Sequence, residues 1–201
     1  LCLIGSYPAD LPVDSVRVDS RQGVRLAVTH LLGQGRQRIA MVNGAPGTVP
    51  ADLREAGFLD AMFEHGVPIG SNHIVHGDFT TASGYRAATQ LLERDGTINA
   101  IFCANDAMAI GVLRRLHELG RDVPDDIAVV GMDDIAMAAM TAPTLTSVSL
   151  KAEERGAIAA NLLLERLATD EPLAPRTVHV QPTLIGGEAT TKHTVLESRH
   201  A

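Results

Sequence analysis

Short apolar, β-branched runs recur along the chain at 16–18, 38–42, 72–75, 100–103 and 127–130, each bounded by turn residues. Between them the apolar positions change period. Val24, Ala27, Val28 and Leu31 fall at i, i+3, i+4 and i+7, and Ala109, Val112, Leu113 and Leu116 repeat the pattern. Ala56, Leu59 and Phe63 follow it more loosely, as do Tyr85, Ala88 and Leu92. Strands alternating with helices predict repeated βαβ units, hence an α/β fold with parallel, doubly wound sheets covered on both faces. Asn105 and Thr80 or Thr81 are placed as N-caps, and Pro50 as a first-turn residue. Gly35, Gly66, Gly96 and Gly120 mark helix ends.

The pattern changes after Val130. Gly131-Met132-Asp133-Asp134 reads as a turn, and 143–148 as an extended segment stiffened by Pro143. A helix is predicted over 151–167; its centre (157–160 and 162–164) is apolar nearly all round and so should be buried on more than one side. One strand is predicted over 178–185, then a loose polar tail from Gly186.

Charge and cysteines narrow the function classes. Seventeen basic against 24 acidic residues give a net charge of −7, which disfavours nucleic-acid binding by this chain itself. Cys2 and Cys103 make no disulfide framework; both are expected to be buried thiols in a reducing, cytoplasmic setting. No apolar stretch is long enough for a membrane helix, so no membrane partner is expected. The start inside the apolar run Leu1-Cys2-Leu3-Ile4 suggests polypeptide upstream of Leu1.

In an open parallel sheet, ligands bind beyond the carboxyl ends of the strands. Those positions hold Arg54, in the first turn of a helix after the 38–42 strand, then Phe79, Asn105 and Asp133. The set suits a neutral polyol or base: paired hydrogen bonds from Arg54 and Asp133, donor and acceptor from Asn105, and an aromatic face from Phe79. Each has a structural alternative: a cap for Asn105, a turn for Asp133, core for Phe79, a solvated cation for Arg54. Arg54 is the most informative, because a cation in a first helical turn opposes the helix dipole at about 0.3–1 kcal/mol. His73 and His76, three apart on a strand, face opposite ways and make no metal pair. No metal, phosphate-loop or nucleophile-elbow motif is present, so no cofactor and no catalytic residue is assigned.

Several stretches occur in order and with family spacing: His30-Leu31-Leu32-Gly33-Gln34-Gly35, Arg54-Glu55-Ala56-Gly57-Phe58, Gly77-Asp78-Phe79, Ala104-Asn105-Asp106-Ala107-Met108, Val130-Gly131-Met132-Asp133-Asp134 and Pro143-Thr144-Leu145-Thr146-Ser147-Val148. In these the chain resembles the effector-binding core of LacI/GalR-type transcription regulators. The resemblance implies a two-lobed, type I periplasmic-binding-protein-like fold with a small molecule, sugar or nucleobase-like, in the cleft between lobes. It places ligand contacts at Arg54, Asn105 and Asp133, a stacking aromatic at Phe79, and further cleft residues at Ser6 and Pro50. It implies a homodimer packed through the C-terminal lobe near Ile110, Met137 and Met140, and operator DNA bound by a helix-turn-helix ahead of Leu1. The implied division is 1–17 as part of the N-terminal lobe, 18–150 as the C-terminal lobe, 151–177 as a return helix of the N-terminal lobe, 178–186 as a C-terminal-lobe strand and 187–201 as a flexible tail. Met132 stands where the family usually has tyrosine, and Gly186-Gly187 where an arginine is common. Two other readings stay open: a periplasmic-type solute-binding protein of a transporter, and a Rossmann-like sugar or nucleotide enzyme.

Overall fold

A computed structural model describes residues 1–5, 11–169 and 173–191. Ser6 and the tail from Lys192 lie outside the described residues. Two sheets form. The smaller holds β1 (Cys2–Ile4), β2 (Asp14–Val18) and β8 (Thr177–Val180), all parallel, in the order β1-β2-β8. The larger has the order β4-β3-β5-β6-β7-β9, built from β3 (Ile39–Asn43), β4 (Ile74–His76), β5 (Ala100–Cys103), β6 (Ala128–Met132), β7 (Thr146–Ser149) and β9 (Thr183–Ile185). It is parallel except for the antiparallel β7–β9 pair.

Helices α1 (Ser20–Gly33) and α2 (Val49–Glu64) pack together on one side of the larger sheet, and α3 (Thr81–Arg94) and α4 (Asp106–Glu118) together on the other. The strands between them are buried on both faces, which is why they read as continuous apolar runs rather than alternating ones. The core joins Val24, Val28 and Leu31 of α1 to Phe58 of α2, whose ring stacks on Phe102 of β5 at 6.3 Å. Helix α5 (Ala152–Leu167) covers the smaller sheet, where Ala159 and Leu162 meet Val16 and Val180. Three crossings link the sheets: β2 to α1, β7 to α5 through Leu150-Lys151, and β8 to β9 through Gln181-Pro182.

Several expectations need correction. The stretch 178–185 is two strands in different sheets: Pro182, with no N–H to donate, sits at the break. The 178–186 segment is therefore shared between the sheets. Helix α5 buries one face; Leu163, Leu164 and Leu167 are exposed. On α2 the buried face runs through Ala51, Arg54, Phe58 and Met62, leaving Leu59 and Phe63 in solvent. Cys103 is buried but Cys2 only half so. The tail is packed as far as Thr190: the Ala189 N–H donates to the Thr144 carbonyl, the Val129 N–H donates to the Ala189 carbonyl, and the Thr190 hydroxyl meets those of Thr146 and the ring of His30. No helix among the described residues is long and apolar enough to cross a membrane.

Candidate functional site

Strand β3 lies between β4 and β5, and the chain steps from β3 to β4 and then back across to β5. That reversal separates the loops following β3 and β5 and opens a crevice at their carboxyl ends. Arg54 reaches into it. The helix begins at Val49, so Arg54 stands in the second turn rather than the first, and the dipole argument for it fails. Burial replaces that argument: Arg54 is 7% exposed. Its Nη1 donates to the Ala104 carbonyl at 2.7 Å, and its Nη2 lies 3.5 Å from Asp133 Oδ1. Its Nε is buried without a hydrogen-bond partner among the described residues. Burial lowers the guanidinium's pKa, with Asp133 opposing. Burial likewise raises the pKa of Asp133, with Arg54 and then Arg155 opposing. Each charge has lost water, and one long contact does not make it good. Hydroxyl groups of a bound molecule could satisfy what is left.

Phe79 completes the wall. Its backbone is left-handed (φ 66°), unusual for a bulky residue. The Asn105 side-chain amide donates to the Phe79 carbonyl at 3.0 Å, fixing that conformation. The ring lies directly on Gly44, where an added Cβ would sit 1.9 Å from Phe79 Cζ. The Arg54 guanidinium is 5.8 Å from the ring centroid. Asn105 Oδ1 accepts from the Met108 N–H as the N-cap of α4. Its oxygen is thus engaged by the cap, and one amide hydrogen remains for a ligand. Asp133 (φ 112°) and Asp134 (φ 60°) also hold positive φ, a local strain that places the Asp133 carboxylate toward Arg54.

Arg54, Phe79, Asn105 and Asp133 thus meet at one sheet edge. Pro50 is exposed in the first turn of α2, one turn before Arg54. His73 and His76 each meet a carboxylate of their own, Asp95 and Glu55, and no metal-binding group occurs among the described residues. Ile110 is half-buried on α4, while Met137 and Met140 are exposed on the short 3₁₀ turn Ala136–Met140.

Asp106 was not singled out from the sequence. Fully buried, it accepts from the Ser147 hydroxyl at 2.6 Å and the Ile135 N–H at 2.9 Å, and so holds the strained 133–135 turn. Desolvation raises its pKa to about 6, against those two hydrogen bonds. A carboxyl raised in the fold contributes fully below its unfolded value of 3.8 and loses that contribution as pH rises through about 6. The loss is about 3 kcal/mol at about 1.4 kcal/mol per pH unit. Asp106→Asn is expected to flatten the stability difference between pH 4 and pH 7 by about that amount, measured as urea midpoints across pH. A parallel offset at every pH would mean the carboxyl does not titrate there. The sequence signal was weak: an acid at N1 of a capped helix is commonplace.

Residues 28–190 match the family model described as a periplasmic binding protein-like domain. A LacI-family transcriptional regulator of Sanguibacter keddieii is 31% identical with a TM-score of 0.86, covering 95% of this chain and 72% of that one. This chain belongs to the LacI family. Within the family it is similar to the regulator CelR solved as a cellobiose complex, at 34% identity and TM-score 0.84, covering 93% of this chain and 58% of that one. A LacI-family regulator of Enterococcus faecium with bound ribose is 27% identical, TM-score 0.83, covering 94% and 69%. The repressor PurR of Erwinia tasmaniensis is 37% identical over 86% of this chain and 50% of its own length. The ribose operon repressor of Escherichia coli K12 is 36% identical over 89% and 54%. The chain spans about half the length of these curated LacI-family relatives.

Proposed function

We propose that the chain is the effector-sensing domain of a LacI-type transcriptional regulator, binding a sugar or related metabolite without altering it. The observation that carries this is the convergence of Arg54, Phe79, Asn105 and Asp133 at the β3/β5 reversal, with no nucleophile–base pair among them. Relatives named as repressors, and neighbours solved with cellobiose and ribose, favour a regulator over a transporter's binding protein or an enzyme. The smaller sheet with α5 is the N-terminal-lobe part and the larger sheet with α1–α4 the C-terminal lobe, the boundaries falling near Val18, Leu150 and Gln181. Pro50 belongs to the same cleft in this proposal. The exposed Met137 and Met140, with Ile110, form the homodimer face. Operator DNA is contacted through a segment outside this chain, and the regulator works in the cytoplasm. Effector binding shifts the lobe arrangement only as far as its affinity differs between the two arrangements.

Arg54→Ala is expected to weaken binding by about 1.5–3 kcal/mol, roughly 10- to 150-fold, through loss of a charge-assisted donor. Asp133→Asn is expected to weaken binding with little change in melting temperature, because asparagine tolerates positive φ. Calorimetric titration with a panel of monosaccharides and cellobiose tests both. Unchanged affinity in Arg54→Ala would make that residue structural and remove the proposal.

A further inference from the structure

Asn43, the last residue of β3, is buried, yet both polar atoms of its side chain are engaged. Its amide nitrogen donates to the Ala51 carbonyl at 3.2 Å and to Glu55 Oε2 at 2.8 Å, both on α2. Its side-chain oxygen accepts from the Gly44 N–H at 2.8 Å. Its main-chain carbonyl accepts from the Gly77 N–H at 2.8 Å, two residues before Phe79. His76 Nε2, at the end of β4, lies 2.9 Å from the same Glu55 oxygen. One buried amide thus ties the end of β3 to the two segments that carry the walls of the site. Arg54 stands beside Glu55, and Phe79 follows His76 by three residues.

Neither residue of similar shape could replace it. Aspartate has no hydrogen to donate and would face Glu55 with a second carboxylate, while leucine would strip partners from the Ala51 carbonyl and the Gly44 N–H. A buried polar network that is fully satisfied rigidifies what it joins. The Gly44 that Asn43 clamps is the floor under the Phe79 ring: a Cβ there would lie 1.9 Å from Cζ and 2.3 Å from both Cε atoms. A flat ring cannot bend away from such a Cβ, so it would have to swing off its seat. The Arg54 guanidinium stands 5.8 Å from the ring centroid, near the outer limit of about 6 Å for cation–π attraction, so that contact holds neither wall firmly. Their spacing is set from behind, through α2 on one side and through Gly44 on the other. We propose that Asn43 and Gly44 are positioning residues of the effector site, fixing where the Arg54 guanidinium and the Phe79 ring stand relative to one another, and that effector affinity depends on that spacing. This inference rests on the sugar-binding reading above.

The test titrates the full chain with D-ribose, D-glucose and cellobiose by calorimetry and follows the tightest binder. Gly44→Ala is expected to weaken it at least tenfold. In a Phe79→Ala background the same substitution is expected to change affinity less than twofold, because the ring it displaces is gone. Glu55→Ala removes one partner of Asn43 at a half-buried side chain. It is expected to weaken binding at least fivefold with the melting temperature nearly unchanged, and Glu55→Gln, which keeps an acceptor oxygen, to restore most of the loss. Asn43→Asp is expected to weaken binding at least as much as Glu55→Ala. The free protein carries a second readout. The Gly44 α-protons lie against the Phe79 ring, so their NMR resonances are expected to be displaced by its ring current, and that displacement to shrink in Asn43→Asp and Glu55→Ala. Equal losses from Gly44→Ala with and without the Phe79 ring, or an unchanged α-proton displacement in both Asn43→Asp and Glu55→Ala, would overturn the positioning role and leave the sugar site standing. Failure of all three sugars to bind at millimolar concentration, with the ring-current displacement behaving as expected, would overturn the sugar reading and support the seating of Phe79 by Asn43 and Gly44.

Discussion

Gly111→Ala is expected to lower the melting temperature by roughly 10 °C. Helices α3 and α4 cross so closely that a Cβ at Gly111 would lie 2.0 Å from the Thr81 carbonyl oxygen and 2.7 Å from the Tyr85 nitrogen. Reciprocally, a Cβ at Gly84 would lie 2.1 Å from the Met108 carbonyl oxygen. These neighbours are backbone, so the helices must part. Helix propensity alone would favour alanine by about 1 kcal/mol. Overpacking against a rigid neighbour costs typically 1–3 kcal/mol and more where nothing yields, so the clash wins by about 3 kcal/mol. Gly156 is the internal control. It lies in α5 with nothing within 4 Å of its virtual Cβ, and Gly156→Ala is expected to raise stability by about 0.5–1 kcal/mol. Scanning calorimetry of both variants decides. Equal effects would mean that propensity, rather than close approach, governs these positions. Because α4 carries Asn105 and Asp106 at its start, parting the helices should also loosen the site.

Asp14→Ala is expected to lose about 3–5 kcal/mol, concentrated in the smaller sheet. Asp14 is fully buried and accepts from Arg166 Nε at 2.6 Å and Nη2 at 2.8 Å, from the Arg176 N–H at 2.8 Å, and from Arg176 Nη2 at 3.4 Å. The bond from Arg166 leads in holding its pKa far below the usual carboxylate range, with burial opposing. A depressed carboxylate contributes its stability above the unfolded value of 3.8 and loses it as pH falls toward the folded value. Removal leaves two guanidiniums facing each other across β2, β8 and the end of α5. Urea unfolding followed at amides of the smaller sheet should show a lower midpoint, with the larger sheet much less affected. Asp14→Asn, which keeps one acceptor, should lose less. A shift spread evenly over both sheets would mean that the two unfold as one unit.

The sequence made the larger sheet legible because its inner strands β3, β5, β6 and β7 are buried on both faces and its helices carry the 3.6 period on one. β5 falls at 100–103 as expected, and α4 buries the four residues its spacing picked out. The failures share a cause. Periodicity reports which residues are apolar and is silent on the elements they meet. It could not tell that α5, with an apolar centre, buries one face on the smaller sheet and leaves Leu163, Leu164 and Leu167 exposed, or that 178–185 changes sheets at Pro182. Nor could it see Ala189 pinned by backbone hydrogen bonds between residues distant in sequence.

The site was legible one residue at a time, and its linkage was not. Arg54 was singled out through a dipole argument that does not hold, yet its burial makes it the centre of the cluster. Asn105 was expected to offer a donor and an acceptor. The structure commits its acceptor to the α4 cap and one donor to Phe79, so it acts chiefly by holding the aromatic ring in place. Asp106 and Gly44 carried no signal of their own, since each matters only through a neighbour far away in the chain.

The most direct measurement is the arginine side-chain NMR spectrum during titration with the tightest-binding sugar of the panel. The account requires the Arg54 Nε–H resonance to move and its exchange with water to slow, because that hydrogen is buried and unpartnered in the free protein. Arg36, whose Nε is equally unpartnered but whose guanidinium is bound to the carbonyls of Asn99, Pro124 and Asp125 on the other end of the sheet, should not respond. Movement of Arg36 with a silent Arg54, or saturable binding that moves neither, would place the ligand elsewhere and contradict the account.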